Sequence, residues 1–240
     1  LVNKLTANVG EISNKGVERT VNAIPVVTKD FSWTTSLNLS HNKNEVVSIS
    51  NGKCVADYFD EANVGGIGQS GMRQQRIEAG RPLGSFYTWK WAGYDDKGIS
   101  LFYTKDGGTT IKPGKDDRFW TGDAQPKLNI GWNNTLNYKN WAMPMFFTAG
   151  TGNKILNASR ANLSALQYAA ERNLLTSVVD TDKGTDSNAH YLSDRYIEKG
   201  DYLRLSSLSL GYTFKNFSDY IQNLRVYASC NNVFVITGYK

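Results

Sequence analysis

Alternation of apolar and polar side chains constrains this chain more than any other feature of its sequence. In residues 30–42, DFSWTTSLNLSHN, the large apolar side chains share one parity, and Ser, Thr and Asn dominate the other; the apolar set is Phe31, Trp33, Leu37 and Leu39. Because successive side chains of a strand point to opposite faces, this pattern predicts a strand with one apolar and one polar face. Such a strand fits a soluble sheet with one face in a core, or a membrane barrel with one face in lipid and one toward a wet lumen.

The same alternation recurs along the chain, in segments bounded by turn-forming residues. A break at Pro25 and the turn sequences at 95–98 (DDKG) and 139–140 (KN) separate neighbouring segments. About eight strands are predicted in this way. They lie at 16–24, 31–41, 84–94, 98–104, 127–138, 141–152, 200–214 and 224–236.

Short and long connections alternate between these predicted strands. The short ones lie near 25–30, 95–98, 139–140 and 215–223, and the long ones, rich in Gly, Asn, Asp, Lys and Ser, near 43–80, 105–125 and 154–198. Bacterial outer-membrane barrels have tight periplasmic turns and longer extracellular loops. A soluble sandwich has no reason to keep the two ends of its sheet so unequal, so the pattern favours a membrane barrel.

Aromatic residues cluster beside the short connections, in four pairs: Phe31 and Trp33, Trp91 and Tyr94, Tyr138 and Trp141, Tyr212 and Phe214. Aromatic girdles mark the interfaces of membrane barrels. We therefore predict that these pairs form the periplasmic girdle and that the apolar parity of each strand faces lipid. Ordinary core aromatics are the alternative.

Composition excludes several other classes of protein. Hydrophobic residues make up 40% of the 240 residues, mean hydropathy is −0.44, and no apolar run reaches the length of a membrane helix. The net charge of +5 comes from scattered Lys and Arg without a basic run, so no nucleic-acid role is expected. Cys54 and Cys230 have no metal-ligand spacing and are interpreted as incidental thiols.

One long connection contains helical spacing. In residues 157–175 the apolar positions Leu163, Leu166, Ala170 and Leu174 recur at nearly helical intervals. This pattern predicts a short amphipathic helix on the extracellular side. Its apolar stripe is expected to pack against its own connection rather than on a partner protein.

The sequence supports neither catalysis nor a cofactor or metal site. His41 and His190, the two histidines, lie in no ligand motif, and the DTDKGTD segment at 180–186 lacks the closing Glu of a calcium loop. We therefore expect a protein that is not an enzyme. Substrate contact through exposed aromatic residues is the realistic function, and the candidate ligand-binding residues are Phe119, Trp120 and Tyr191. An extracellular girdle or loop packing is the alternative for each of them.

Several blocks of sequence, in the same order, resemble the SusC/RagA family of TonB-linked outer-membrane transporters of Bacteroidetes. The blocks are NVGEISNKGVE (8–18), GRPLGSFYTWKWAGYDDKG (80–98), GDAQPKLNIGWNNTLNYKNW (122–141), DRYIEKGDYLRLSSLSLGYTF (194–214) and LRVYASCNNVFVITGY (224–239). The resemblance implies an all-β fold, in which this chain is an antiparallel transmembrane β-barrel segment with long extracellular loops. The whole barrel would be of the plugged, roughly 22-stranded class.

The same resemblance implies TonB-dependent import of glycans or peptides across the outer membrane. Its implied partners are a SusD-like surface lipoprotein, the TonB complex acting through a plug, the lipid of the outer membrane, and the substrate. Residues 1–240 are expected to form the C-terminal part of the receptor barrel, without the signal peptide, the plug domain and the final strands.

Two other functions remain open from the residues alone. A soluble or surface-exposed β-sandwich that binds carbohydrate without catalysis would share the alternation and the aromatics, and it predicts that Trp33 and Trp132 lie in a dry core. A passive porin would share the barrel, and it predicts uptake that needs no membrane potential.

Overall fold

The structure is a computed structural model that describes residues 10–50, 55–66, 69–165, 168–179 and 186–239. Strands dominate it. In chain order the strands are β1 (Glu11–Val27), β2 (Phe31–Ser48), β3 (Tyr58–Asn63), β4 (Arg73–Glu78), β5 (Ser85–Trp89), β6 (Trp91–Tyr94), β7 (Ser100–Tyr103), β8 (Thr109–Thr110), β9 (Arg118–Asp123), β10 (Leu128–Tyr138), β11 (Trp141–Thr151), β12 (Lys154–Leu156), β13 (Ile197–Lys199), β14 (Tyr202–Lys215) and β15 (Asn223–Thr237). The helices are α1 (Ala158–Leu163) and α2 (Thr176–Val179), with 3₁₀ turns at Lys115–Asp117 and Asp194–Tyr196.

The six longest strands form one antiparallel sheet in the order β1-β2-β10-β11-β14-β15. Residues directly opposite one another on neighbouring strands share a face. Leu37 lies opposite Trp132, which lies opposite Phe147, and Phe147 lies opposite Leu205. The apolar parities predicted strand by strand therefore join into one continuous apolar face, and the Ser, Thr and Asn residues join into the other.

Three short connections lie at one end of this sheet, called here the turn end. Residues 28–30 join β1 to β2, Lys139 and Asn140 join β10 to β11, and residues 216–222 join β14 to β15. Lys139 and Asn216 take left-handed φ values of 52° and 51°, which close these turns. The predicted short connections at these three places are confirmed. Pro25 lies inside β1 instead of ending it, because it falls at a register shift between Ala23 and Val26, and such an irregularity tolerates proline.

The predicted strands at 84–94 and 98–104 are not strands of the large sheet. The turn at 95–98 does form, with Gly98 N donating to Asp95 O at 3.0 Å. However, β5, β6 and β7 have only four or five residues and pair in two smaller sheets, β3-β4-β5-β9 and β6-β7-β8. Membrane barrel strands need about 9–11 residues. Residues 49–127 are thus one long connection at the opposite end of the sheet, the loop end, and assigning Trp91 and Tyr94 to the turn-end girdle was wrong.

The two long connections, 49–127 and 152–201, pack against each other and form what we call the outer subdomain. Its buried cluster joins Ala161, Leu192 and Tyr196 of the second connection to Val64 and Met72 of the first. A parallel bridge pairs Trp89 with Ser193. The sequence presents these segments as separate loops, whereas the fold gives them a shared core.

The predicted helix at 157–175 is much shorter than its apolar spacing indicated. Helix α1 starts at Asn157, whose Oδ1 accepts a hydrogen bond from Arg160 N at 2.8 Å, and ends at Ser164, whose Oγ donates to Arg160 O at 2.5 Å. Ser and Asn side chains compete for backbone groups in this way, which favours helix ends over helix interiors. Ala161, outside the predicted stripe, makes the contact with Leu192 and Tyr196 of the same connection; Leu166 lies outside the described residues.

No helix among the described residues is long and apolar enough to cross a membrane. Cys230 carries an exposed free thiol. Cys54 and residues 180–185 of the calcium-like segment lie outside the described residues.

Candidate functional site

The polar face of the large sheet is built from short hydroxyl and amide side chains that bond across the strands. Thr20 Oγ1 donates to Asn38 Oδ1 at 2.8 Å, and Thr148 and Ser206 share a hydrogen bond of 2.8 Å. Ser209 and Ser229 do the same at 2.6 Å. Such a face is hydrated and still rigid, as the wall of an aqueous channel requires.

A shallow concavity of about 430 Å³ lies on this face near the loop end. Its floor is formed at Gly131, and the ring of Tyr202 lies over the backbone of Gly150, where an added Cβ would come within 2.9 Å of Tyr202 Cε1. Glu18, Asn38 and Ser40 contribute polar atoms to its rim. This close approach explains the glycine at position 150 of β11.

Large side chains of the apolar face are exposed in the described residues. Trp132 is 39% exposed, Trp141 45% and Leu210 47%. On β2 this face runs from Phe31 to Leu39, which after strand tilt corresponds to roughly 20–25 Å of height. That matches the apolar band, about 25 Å tall, of outer-membrane barrels. At the turn end the rings of Trp141, Tyr212 and Phe214 contact one another, with centroid distances of 4.9 and 4.7 Å.

The outer subdomain contains a charged pocket of about 290 Å³ on one face of the β3-β4-β5-β9 sheet, called here the arginine pocket. Arg76 lies at its centre, with its guanidinium carbon 3.5 Å from the ring centroid of Tyr58 and 4.0 Å from that of Tyr87. Two hydrogen bonds, at 2.8 and 3.2 Å, join Arg76 to the carboxylate of Asp60. The full lining is Tyr58, Asp60, Gly71, Arg73, Arg76, Tyr87, Lys115, Asp116 and Arg118.

Arg118 is the second cation fixed in this pocket. Its guanidinium carbon lies 4.5 Å from the ring centroid of Trp89, and Nη1 donates to Arg73 O at 3.2 Å. Burial, together with the nearby charge of Arg76, lowers the pKa of Arg118, although Asp60 opposes the change. For Arg76, burial alone would lower the pKa, but the hydrogen bond and charge of Asp60 outweigh it and raise the pKa. Both side chains stay protonated, so the pocket holds fixed positive charge.

Trp120, one of the predicted ligand-binding residues, lies on the same face of the small sheet as the arginine pocket. It pairs across the strands with Tyr87, and the two ring centroids are 4.9 Å apart. The guanidinium of Arg81 lies 4.7 Å from the Trp120 ring. Trp120 therefore continues the pocket as an aromatic shelf.

Phe119 and Tyr191 lie apart from this shelf. Phe119 points to the opposite face of the small sheet, where the ammonium of Lys105 lies 4.1 Å from its ring. Tyr191 is half-buried between the rings of Trp89 and Phe102, at 5.1 and 5.5 Å. Its position gives it a packing role between the two long connections.

Arg76, Arg118 and their tyrosine neighbours are not predicted from the sequence. They come from four strands between residues 58 and 120, and no short motif joins them. The available signal was the density of Arg, Lys and aromatic residues in a connection otherwise rich in Gly, Asn and Asp. Within the described residues, no group of three or more His, Cys, Asp or Glu side chains could hold a metal ion.

Relatives with curated names cover nearly the whole chain. It is 31% identical to the TonB-dependent receptor P3 of Formosa agariphila, over 97% of this chain and 25% of the relative, and 29% identical to the TonB-dependent receptor SusC of Bacteroides thetaiotaomicron, over 99% and 24%. The chain thus spans about a quarter of the length of the curated relatives it matches. No protein-family model matches it.

Solved structures share the fold. The chain superposes on the RagAB peptide transporter with a TM-score of 0.79 and 22% identity, over 97% of this chain and 26% of that one. The "open-open" state of the RagAB peptide importer gives the same TM-score of 0.79. The two-faced sheet, the short connections at one end and long ones at the other, and these relatives all indicate a segment of an outer-membrane β-barrel. Over nearly its whole length the chain is similar to SusC/RagA-type TonB-dependent receptors of the bacterial outer membrane, and its fold is that of an open segment of an antiparallel β-barrel.

Proposed function

We propose that this chain is part of the wall of an outer-membrane importer that takes up glycans or peptides with energy delivered through TonB. The observation that carries the proposal is the large sheet itself. One face is continuous and apolar over a membrane-sized band, with large side chains such as Trp132, Trp141 and Leu210 exposed, and the other is polar and hydrogen-bonded. In an importer, the first face contacts lipid and the second lines the path of the substrate.

The two ends of the sheet then face different compartments. The turn end is periplasmic, and the outer subdomain at the loop end is extracellular. The edges of the sheet, β1 and β15, have no neighbouring strand among the described residues. Unpaired backbone groups are not tolerated in lipid. Both edges therefore pair with further strands of the same barrel, and the chain supplies its C-terminal part.

The partners follow from the same assignment. A plug inside the barrel transmits the energy from TonB, and a SusD-like surface lipoprotein covers the extracellular opening and captures substrate with the outer subdomain. Of the three aromatic contacts to substrate expected from the sequence, we propose Trp120, because it adjoins the arginine pocket. Phe119 points to the opposite face of the small sheet, and Tyr191 packs between the two long connections. The related RagAB is named a peptide transporter, which supports peptides, and the sequence resemblance implies glycans or peptides, so both substrate classes stay within the proposal.

Uptake by cells tests the proposal. The gene for the full-length receptor is deleted in its own bacterium, and fluorescent oligosaccharides and oligopeptides are supplied with and without a protonophore. We expect the deletion to abolish uptake of one substrate class, the full-length gene to restore it, and the protonophore to block it. Fractionation of the same cells is expected to place the receptor in the outer membrane, from which detergent extracts it.

Two outcomes would overturn the proposal. Uptake that continues in the presence of the protonophore would indicate a passive porin. A receptor that stays soluble without detergent would indicate the carbohydrate-binding sandwich, although the exposed Trp132 already disagrees with the dry core which that function needs.

A further inference from the structure

The arginine pocket has more positive charge than its own carboxylates neutralise. Four cationic side chains and two carboxylates line it. Asp60 is fully engaged by both hydrogen bonds from Arg76. Among the described residues, Arg73, Lys115 and Arg118 form no salt bridge, and Asp116 is the one further carboxylate of the lining.

Arg118 is held in a position in which some of its N–H groups donate no hydrogen bond. The Trp89 ring and the Arg73 carbonyl fix the guanidinium in place, while Nε is buried and has no hydrogen-bond partner among the described residues. A buried donor without a partner is costly. A planar guanidinium fixed in this way is preorganised for an oxyanion, which can accept two of its hydrogen bonds at once.

The lining also indicates what carries the oxyanion. Arg76 covers the faces of Tyr58 and Tyr87 that it contacts, so these rings do not offer an open stacking platform there. Their hydroxyls, Lys115 and Asp116 supply polar atoms on the remaining sides, and the lining has no aliphatic side chain. A sugar ring presents hydroxyls along its edge and suits such a lining, whereas a peptide would leave its apolar side chains without contacts.

We propose that the arginine pocket binds an acidic sugar of the imported substrate, through a carboxylate or sulfate group placed against Arg118, Arg73 and Lys115. The proposal rests on the importer function proposed above and narrows its substrate to acidic glycans. The volume of about 290 Å³ lies at the low end of small-molecule pockets, roughly 300–1,000 Å³, and suits one sugar residue of a longer chain. Trp120, beside Tyr87, is then in reach of the next residue.

Calorimetric titration of the full-length receptor in detergent tests this inference. The probes are a tetrasaccharide of galacturonic acid, the same tetrasaccharide with its carboxyl groups reduced, a sulfated tetrasaccharide and tetraglutamate. We expect the acidic tetrasaccharide to bind at least about tenfold more tightly than the reduced one, since charge-assisted hydrogen bonds are lost on reduction. The comparison of the galacturonate and sulfated probes identifies which oxyanion the pocket prefers.

Matched variants locate the binding. Arg118→Gln is expected to weaken binding of the preferred acidic probe about tenfold. Lys115→Gln removes an exposed charge and is expected to weaken it severalfold, with a smaller salt dependence. Lys112→Gln makes the same charge change three residues away, outside the lining, and is expected to leave binding unchanged. If Arg118→Gln fails to fold, the pair Lys115→Gln and Lys112→Gln still decides the question.

Equal binding of the reduced tetrasaccharide would overturn the inference, as would unchanged binding by Lys115→Gln. Binding of tetraglutamate as tight as that of the acidic sugars would overturn the assignment to glycans. These failures are separate from failure of the importer function, because TonB-dependent uptake of a neutral substrate would leave the importer intact and remove only the acidic-sugar site.

Discussion

The indole nitrogen of Trp33 donates a hydrogen bond of 2.9 Å to Oδ1 of Asn134, on the apolar face of the sheet. Asn134 lies directly opposite Thr35, and Thr35 Oγ1 accepts a second indole hydrogen bond, from Trp132 Nε1 at 2.8 Å. Two tryptophans thus shield a polar pair near the middle of the apolar band, and Asn134 is only 4% exposed. Amphipathic rings do this well, because an indole offers one donor and a large apolar surface.

Replacement of Trp33 by Phe is expected to lower the free energy of unfolding by about 1–3 kcal/mol, because Asn134 Oδ1 then has no donor in an apolar environment. In Asn134→Leu the polar group is gone, so adding Trp33→Phe should cost little more. Urea titration of the full-length receptor in detergent measures both. Additive losses in the double variant would contradict the hydrogen bond as the origin of the effect.

An arginine in place of Leu37 is expected to cost about 2–4 kcal/mol, the range for a cation near the bilayer midplane. Leu37 lies opposite Trp132 and Val21 on the apolar face. Ser36→Arg, the neighbouring position on the polar face, is the matched control and should cost far less. Leu136→Arg, which lies near the turn-end girdle, should fall between them. Urea unfolding in lipid vesicles measures the free energy of unfolding of the three variants. Equal losses of stability in Leu37→Arg and Ser36→Arg would contradict the assignment of the two faces.

Chemical labelling of the Cys230 thiol tests the same assignment of the apolar and polar faces. It lies opposite Leu208 on the apolar face and is exposed. In outer membranes, with Cys54 replaced by Ser, we expect an apolar maleimide to label Cys230 and a charged thiosulfonate to label it at least about tenfold more slowly, since charged groups enter hydrocarbon poorly. A single cysteine at Ser229, with Cys230→Ala, should react readily with the charged reagent. Fast charged labelling of Cys230 would place it in water.

Replacement of Asp186 by Ala is expected to separate the two long connections. The buried carboxylate accepts hydrogen bonds from Ser100 N at 2.9 Å and Ser100 Oγ at 2.6 Å, and Arg195 lies 3.7 Å away. Losing these charged hydrogen bonds should cost about 1.5–3 kcal/mol locally. Hydrogen exchange of residues 91–103 and 186–196 should rise, while exchange in the large sheet stays unchanged. Unchanged exchange at residues 91–103 would show that Asp186 does not hold the two connections together.

The packing of the outer subdomain is expected to depend on pH through Asp194. Burial raises the pKa of this carboxyl above 3.8, although the hydrogen bond that Oδ1 accepts from Trp91 N opposes the rise. A raised pKa means that the folded state favours the protonated form, so this group adds stability as pH falls through its raised pKa, fully below 3.8, and loses it as pH rises. Asp194→Asn keeps an acceptor for Trp91 N and should flatten this dependence between pH 4 and 7.

Thermal unfolding of the outer subdomain, followed by tryptophan fluorescence at several pH values in that range, compares parent and Asp194→Asn. The variant should be at least as stable as the parent at pH 7. If Asp194→Asn kept the parent's full pH dependence, that dependence would come from another titratable group.

Much of the arginine pocket could not be predicted from the sequence, because its residues come from separate segments of the chain. Trp120 was identified from its aromatic ring in a loop, but its neighbours Tyr87 and Arg81 are more than thirty residues away. Arg76 and Asp60 are 16 residues apart, and their ion pair depends on the β3–β4 register. A register is a property of strand pairing, and single-strand alternation does not contain it.

The error over 84–104 has a related cause. Alternation and a clear turn predicted a hairpin there, and a hairpin forms, but nothing in the local pattern states which sheet it joins. The short strands are held instead by the second connection, where Tyr191 packs against Trp89 and Phe102 and Asp186 bonds to Ser100.

The sequence by itself determined the two-faced strands, the turn-end connections, the apolar side of each strand and the family resemblance, because side-chain parity and turn chemistry are local properties that each strand carries alone. The tertiary structure alone decided that the two long connections share a core, that Asn134 is shielded by Trp33, and that the arginines converge on one pocket. These depend on which strands become neighbours and in what register, and the free energy that selects them comes from contacts between residues far apart in the chain.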